Sequence, residues 1–254
     1  MRLPSGLQAV HGEDGAAAFA TPEVEAWVRG AIERGEQLHE VATRQSDKVL
    51  QGRGPVPVLT TPRGQWVVRR YHRGGMIAAP LLGDRYLRIG LPRPMREARA
   101  SDEVRRRGIP TPRVMAGAVY PAGAFYRADL VTEFVAGAVD LAYLLFEEQR
   151  SRRERSDVLR EVGRLLARTA AAGVEHADLN AKNVLVEQRK GGALPLFLDL
   201  DRCRVFPPGI RVDPRAMLTR LCHSLRKHEG RSTRPLAAEE WSVLSGSTNA
   251  RDEG

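Results

Sequence analysis

At 254 residues, 42% hydrophobic and 28% charged, the chain has the composition of an ordinary soluble globular protein, long enough for one large domain or two lobes. Its formal charge of +9 comes almost wholly from arginine (Lys48, Lys182, Lys190 and Lys227 are the lysines) and suits an anionic partner, although a GC-rich genome also enriches arginine. Two cysteines, Cys203 and Cys222, exclude a disulfide scaffold and a four-cysteine zinc site, and the lack of a long apolar run or secretion-type start leads to the expectation of a cytosolic chain, at most peripheral to a membrane.

Residues 1–45 mix Gly, Ala and charge and read as an N-terminal extension, with one helix predicted over 22–34 behind Thr21 and Pro22. Residues 46–135 read as a β-rich lobe. Strands over 56–60 and 65–71 flank the turn Thr61-Pro62-Arg63-Gly64 and predict a hairpin. A helix after Pro94 carries Glu97 and stops near Arg107-Gly108, since Pro110 and Pro112 forbid its continuation. Residues 114–120 and 125–134 form a second predicted antiparallel pair around Pro121-Ala122-Gly123.

Residues 136–230 read as a helical lobe, with helices over 141–149, 155–172 and 213–228. In the second of these, Leu159, Val162, Leu165, Leu166 and Thr169 share a face. A hairpin over 184–187 and 194–200 turns at Arg189-Lys190-Gly191-Gly192. Residues 231–254 are polar and aperiodic, so a disordered tail is expected, with Trp241 the one residue suited to docking. The fold class expected is α+β, with a β-rich N-terminal lobe, a compact helical C-terminal lobe and a cleft between them.

The chemistry concentrates in His176-Ala177-Asp178-Leu179-Asn180-Ala181-Lys182-Asn183, followed sixteen residues beyond Asn183 by Asp199 at the end of the apolar strand Leu196-Phe197-Leu198. Phosphoryl transfer needs a positioned acceptor hydroxyl and Mg²⁺ held against the phosphates. Asp178 can orient such a hydroxyl and take its proton, while Asn183 and Asp199 can offer hard oxygens to the metal. Singly, such residues often do no more than bond their own backbone in a turn. The whole constellation points to catalysis.

This pattern resembles the catalytic and metal-binding loops of the protein-kinase-like superfamily, in its bilobal fold. Asn180 stands where protein-phosphorylating kinases usually have lysine, which favours the small-molecule and sugar branch. More narrowly, the chain resembles the 3-deoxy-D-manno-octulosonic acid (Kdo) kinase family. The stretches carrying that resemblance are Gly52-Arg53-Gly54, Trp66-Val67-Val68-Arg69, Arg73-Gly74-Gly75, Leu81-Leu82-Gly83-Asp84-Arg85-Tyr86-Leu87, the His176 motif and Leu198-Asp199-Leu200-Asp201-Arg202. The resemblance implies ATP and Mg²⁺ as cofactors, the 4-hydroxyl of Kdo in Kdo-lipid A as acceptor, and a site of work at the anionic cytoplasmic face of an inner membrane. No nucleic-acid partner is expected. The alternatives are another sugar kinase, such as one for lipopolysaccharide heptose, and a basic RNA- or membrane-binding pseudokinase.

The first lobe should then bind nucleotide. Gly52, Arg53 and Gly54 offer a phosphate cradle, although Gly-Arg-Gly is also a common turn. No lysine lies between Lys48 and Lys182, so an arginine must grip the α- and β-phosphates. Arg69 is placed ahead of Arg70, a one-residue shift of register exchanging the two. Glu97 is the expected partner of that arginine. Glu133 lies in the connecting stretch Thr132-Glu133-Phe134-Val135, where kinases bond adenine through the backbone. His176 is expected to pack rather than to act as a base, and the role of Asp201 stays open between metal contact and cap. The clusters Arg105–Arg107 and Arg150–Arg155 read as solvated faces.

Overall fold

The computed structural model describes residues 3–51, 55–72 and 83–249. The chain divides into two compact units of mixed helix and strand, the α+β class expected. Unit 1 comprises residues 1–102 and 112–134, and unit 2 comprises residues 103–111 and 135–254.

Unit 1 is built on an antiparallel sheet. Its strand order is β1 (Gln8–His11), β2 (Ala17–Ala20), β7 (Val114–Ala122), β8 (Phe125–Glu133), β5 (Gly64–Arg70), β4 (Pro55–Thr61) and β3 (Lys48–Gln51), with β6 (Tyr86–Leu87) also paired to β8. The helices are α1 (Glu25–Glu33), α2 (Leu38–Gln45) and α3 (Arg93–Arg106), whose last turn belongs to unit 2. Alternation of side chains along a strand sends successive residues to opposite faces. In β5, Trp66 and Val68 join the core formed with Val28, Ile32, Leu38 and Val41 of α1 and α2. Tyr71, just past the strand, joins a second core with Phe19, Leu130, and Met95 and Ala98 of α3. By the same period Arg69 shares the side of Tyr71, and Arg70 that of Val68.

Residues 1–45 are therefore no extension. β2 pairs with β7 from Ala17↔Val119 to Ala20↔Ala116, and α1 and α2 supply much of one core. Alanine-rich strands lack the β-branched residues that advertise a strand, which explains why composition concealed them. The start of α2 has no side-chain cap of its own. Instead Leu38 N donates to Tyr120 Oη at 2.8 Å and His39 N donates to Asp129 Oδ2 at 2.9 Å. Asp129 is fully buried in β8; it also accepts from Tyr120 Oη at 3.1 Å and from Arg70 Nε at 3.3 Å. Burial pushes its carboxyl up from the ordinary range, and the Arg70 cation opposes that shift.

Unit 2 contains β9 (Val139–Asp140), α4 (Leu141–Phe146), α5 (Arg152–Ala171), β10 (Val174–His176), β11 (Val184–Arg189), β12 (Gly192–Phe197), β13 (Cys203–Val205), α6 (Arg215–Glu229) and α7 (Ala238–Asn249). Three strands pair in the order β12-β11-β9, and β10 pairs with β13. α5 begins earlier than its apolar stripe suggests because Ser151 and Glu154 form a capping box. Ser151 Oγ accepts from Glu154 N at 3.2 Å, and Glu154 Oε2 accepts from Ser151 N at 2.8 Å. Leu159, Val162, Leu165, Leu166 and Thr169 are buried as their spacing predicted.

The segment expected to be a disordered tail contains α7, which packs on α5. Gly163 allows that approach: a Cβ there would meet Ser247 Cβ at 2.7 Å and Leu244 O at 2.8 Å. Leu244 is fully buried, and Arg155 and Glu240 form an ion pair with only 4% and 1% of their surface exposed. The helix was hidden in the sequence because a buried charge pair and close backbone contact hold it, rather than an apolar stripe. Two expected surface arginines are thus structural. Arg155 is one; Arg107 is the other, donating through Nη1 to Ala172 O at 2.6 Å and through Nη2 to Phe206 O at 2.9 Å.

Removing one partner of a buried ion pair strands the other in a low dielectric, a cost of about 3–5 kcal/mol. Glu240→Ala should lose stability on that scale in urea unfolding. Glu25→Ala, which removes only the exposed pair with Arg29, should leave the midpoint nearly unchanged.

Candidate active site

In unit 1 the site residues meet on the α3 side of β5. Arg69 Nη2 donates to Glu97 Oε1 in a short ion pair, and Tyr71 Oη donates to Glu97 Oε2 at 2.5 Å. Glu97 is 4% exposed, so both carboxylate oxygens are held by named donors in a nearly water-free setting. The Arg69 guanidinium lies 4.9 Å from the centre of the Tyr71 ring, and Arg93 covers the same ring at 5.0 Å. Arg70 is committed elsewhere, to Asp129 and, at 3.4 Å, to Glu40. Glu133 bonds along the sheet: its N–H donates to Arg113 O, and its Oε2 accepts from Arg113 N, both at 2.9 Å. Gly52, Arg53 and Gly54 lie outside the described residues, as do Arg73-Gly74-Gly75 and Leu81-Leu82.

In unit 2 the loop between β10 and β11 is bound largely to itself. Asn180 Oδ1 accepts from Lys182 N at 3.0 Å, and the Nδ2 groups of Asn180 and Asn183 both donate to Asp178 O at 3.2 Å. A 3₁₀ turn over Ala181–Asn183 then delivers the chain into β11. Leu198 N donates to Asn183 O at 2.9 Å, which ties this loop to the turn after β12. His176 makes the second tie. It is fully buried, and its Nε2 donates to Leu198 O at 2.9 Å, the carbonyl being able only to accept. Burial lowers the His176 pKa from its ordinary value, the Leu198 bond partly opposing it, so the ring is neutral at pH 7 and acts as a strut. Met217 Sδ receives His176 N from α6 at 3.3 Å.

Asp199 follows directly on that anchored carbonyl with φ 58° and ψ 60°. It is the single non-glycine residue of positive φ among the described residues. Asp tolerates the left-handed region better than most residues, yet the conformation costs energy and persists only where surroundings impose it. Here it re-aims a carboxylate at a strand end. Asp201, two residues on, is 7% exposed inside the 3₁₀ turn Leu200–Arg202. The Asp178 carboxylate remains 52% exposed, with Arg202 Nη1 3.8 Å from its Oδ2.

Asn183 and Asp199 suit a hard cation that takes few protein ligands. The Asn183 amide spends its nitrogen on Asp178 O, which leaves the oxygen as the atom to present to a metal. Among the described residues no group of three or more His, Cys, Asp or Glu could hold an ion alone. An ion at these two positions must complete its shell with phosphate and water, the habit of Mg²⁺. Reading the sequence for motifs missed Tyr71 and named Arg202 only within the Leu198–Arg202 block, without a role. Neither has a spacing signal, because each gains its role from a partner 26 or 24 residues away.

The chain is similar to known proteins over most of its length. The model of the lipopolysaccharide kinase (Kdo/WaaP) family matches residues 36–244. A 3-deoxy-D-manno-octulosonic acid kinase of Xanthomonas campestris pv. campestris (strain B100) is 37% identical over 185 residues, which is 72% of this chain and 70% of the relative. Its namesake from Xanthomonas axonopodis pv. citri (strain 306) is 37% identical over 195 residues, 76% and 74% of the two chains. That of Stenotrophomonas maltophilia (strain R551-3) is 35% identical over 181 residues, 70% and 69% of the two chains.

Two outcomes are expected. Arg69→Ala and Glu97→Ala should be non-additive in kcat/KM for ATP, with a coupling of about 0.5–3 kcal/mol in a double-mutant cycle. Arg70→Ala should register mainly as lost stability, because it strands Asp129. The second outcome concerns pH. Stability tied to neutral His176 is complete above the imidazole's ordinary 6.5 and is lost as pH falls below it, since the unfolded chain then binds a proton that the buried ring resists. Urea midpoints at neutral pH and about pH 5 should therefore fall further apart in wild type than in His176→Gln.

Proposed function

This chain belongs to the lipopolysaccharide kinase (Kdo/WaaP) family, and from that premise we propose that it transfers the γ-phosphoryl group of ATP to the 4-hydroxyl of Kdo in Kdo-lipid A. The observation that supports this reading most is the pinned loop of unit 2. An exposed carboxylate, Asp178, stands on a backbone immobilised by Asn180, Asn183 and the His176 strut, as a general base must. Asp178 accepts the proton of the acceptor hydroxyl as its oxygen attacks the γ-phosphorus and the bond to the departing ADP oxygen breaks. Mg²⁺, when bound, neutralises charge on the phosphates. Asn183 and Asp199 would hold it through their side-chain oxygens.

Arg69 is assigned to the α- and β-phosphates. Arginine presents a planar fork in place of a lysine's point charge, so its orientation matters more. Glu97 and the face of Tyr71 provide that orientation. The segment Thr132-Glu133-Phe134-Val135 is assigned to adenine through backbone groups. No described helix is long and apolar enough to cross a membrane. We assign the enzyme to the cytoplasmic face of an inner membrane, where a basic chain meets anionic lipid.

The test is incubation with Mg-ATP and Kdo-lipid A, with the new phosphate located by NMR. Phosphate at the Kdo 4-position supports the reading; phosphate on another sugar, or none, overturns it. Asp178→Ala should abolish transfer, a loss of at least about 100-fold in kcat, with calorimetric nucleotide binding retained. Near-normal turnover by a folded Asp178→Ala protein would remove the base from Asp178.

A further inference from the structure

Arg202 occupies a position that neither the fold nor the phosphate chemistry explains. Its side chain is 64% exposed, and Nη1 lies 3.8 Å from Oδ2 of the exposed Asp178. An ion pair this open contributes little to stability, so folding gives no reason to keep a guanidinium there. The backbone, rather than the ion pair, brings the two residues together. β10 and β13 pair in the register His176↔Cys203; Asp178 follows His176 by two residues, and Arg202 immediately precedes Cys203. The bond from His176 to Leu198 O closes the same turn from its other end. One short ladder thus sets Asp178 and Arg202 side by side, three residues beyond Asp199.

The neighbouring cations are differently placed. Arg204 and Arg220 both turn to Glu175, at 3.5 and 3.2 Å, and its side chain is only 14% exposed. Their charge is answered by that carboxylate. Arg202 instead lies beside the exposed Asp178 carboxylate, and its own side chain is 64% exposed, so its fork is open to a ligand. The arrangement suits an acceptor that brings an anion to that cation. An acceptor bearing its own carboxylate would offer Arg202 a better partner, two parallel N–H···O bonds to a planar anion.

We propose that Arg202 binds the carboxylate of the acceptor sugar and so selects acidic sugars. This rests on the sugar-kinase reading and adds the group that recognises the acid. A neutral sugar would forgo that contact, bind more weakly and be a poor substrate.

The experiment measures steady-state transfer from Mg-ATP to a Kdo-containing acceptor and to the same acceptor with its Kdo carboxylate converted to a carboxamide. Wild type should prefer the carboxylate by about 10- to 100-fold in kcat/KM, the scale of one charge-assisted fork. Arg202→Ala should raise KM for the carboxylate acceptor by a similar factor, leave KM for ATP unchanged, and erase the preference for acid over amide. Arg202→Lys should restore part of that preference. An Arg202→Ala enzyme that still favours the carboxylate, or that loses only kcat with acceptor KM unmoved, overturns the assignment and leaves the kinase reading intact. Wild-type protein that phosphorylates neither acceptor overturns the sugar-kinase reading itself, and this assignment with it. Urea unfolding of Arg202→Ala controls for folding, and its midpoint should match wild type because the side chain is exposed.

Discussion

The loops of unit 2 that carry the proposed site are organised around one buried contact, the bond from His176 Nε2 to the Leu198 carbonyl. A fully buried imidazole cannot carry charge cheaply, and burial lowers its pKa, so it serves as a neutral donor at a fixed angle. On one side of this bond the chain runs into Asp178. On the other it turns at once through the left-handed Asp199 to Arg202. Proposed base, metal ligand and carboxylate reader therefore share one small frame, closed by the β10–β13 ladder and by the bond from Leu198 N to Asn183 O. Strain at Asp199 is tolerable because both flanks are pinned.

The other unit solves a different problem, that of using arginine where related chemistry uses lysine. Adjacent arginines on a strand cannot share a face, and β5 exploits this. Arg69 goes to the side where α3 offers Glu97 and where Tyr71 underlies its guanidinium. Arg70 goes to the side where it offsets the buried charge of Asp129 and helps dock α2. The two cations thus have unlike surroundings, Arg69 held by Glu97 on the α3 side and Arg70 paired with Asp129 beside α2. A register slip by one residue would break both pairings, which ties the proposed phosphate grip to the same packing that buries Trp66 and Val68.

Much of this was legible before any coordinates. The hairpins over β4–β5, β7–β8 and β11–β12 follow turn residues and alternation, and α5 follows its apolar stripe. The motif from His176 to Asn183 and the strand ending at Asp199 were plain, since phosphoryl transfer demands a base and hard oxygens at characteristic separations. Where reading failed, the stabilising partner was distant in sequence. β2 is alanine-rich and becomes a strand because β7 offers it an edge, and β1 pairs in turn with β2. α7 becomes a helix because Glu240 finds Arg155 and because Gly163 lets it approach. Arg107 and Arg155 sat in clusters that looked like solvated faces; Arg107 is part-buried against backbone carbonyls and Arg155 is buried against Glu240.

The sequence by itself determined the class of fold and the family, because periodicity, turn chemistry and short catalytic spacings are local and survive without coordinates. It also narrowed the phosphate grip to Arg69 or Arg70 through the absence of lysine between Lys48 and Lys182. Only the tertiary structure decided what each arginine faces. A guanidinium has the same charge and length wherever it stands, and its role comes from the partner the fold brings to it: Glu97 for Arg69, Asp129 for Arg70, Glu240 for Arg155 and Asp178 for Arg202. Those partners lie 24 to 85 residues away along the chain, beyond the reach of any pattern read from neighbouring positions.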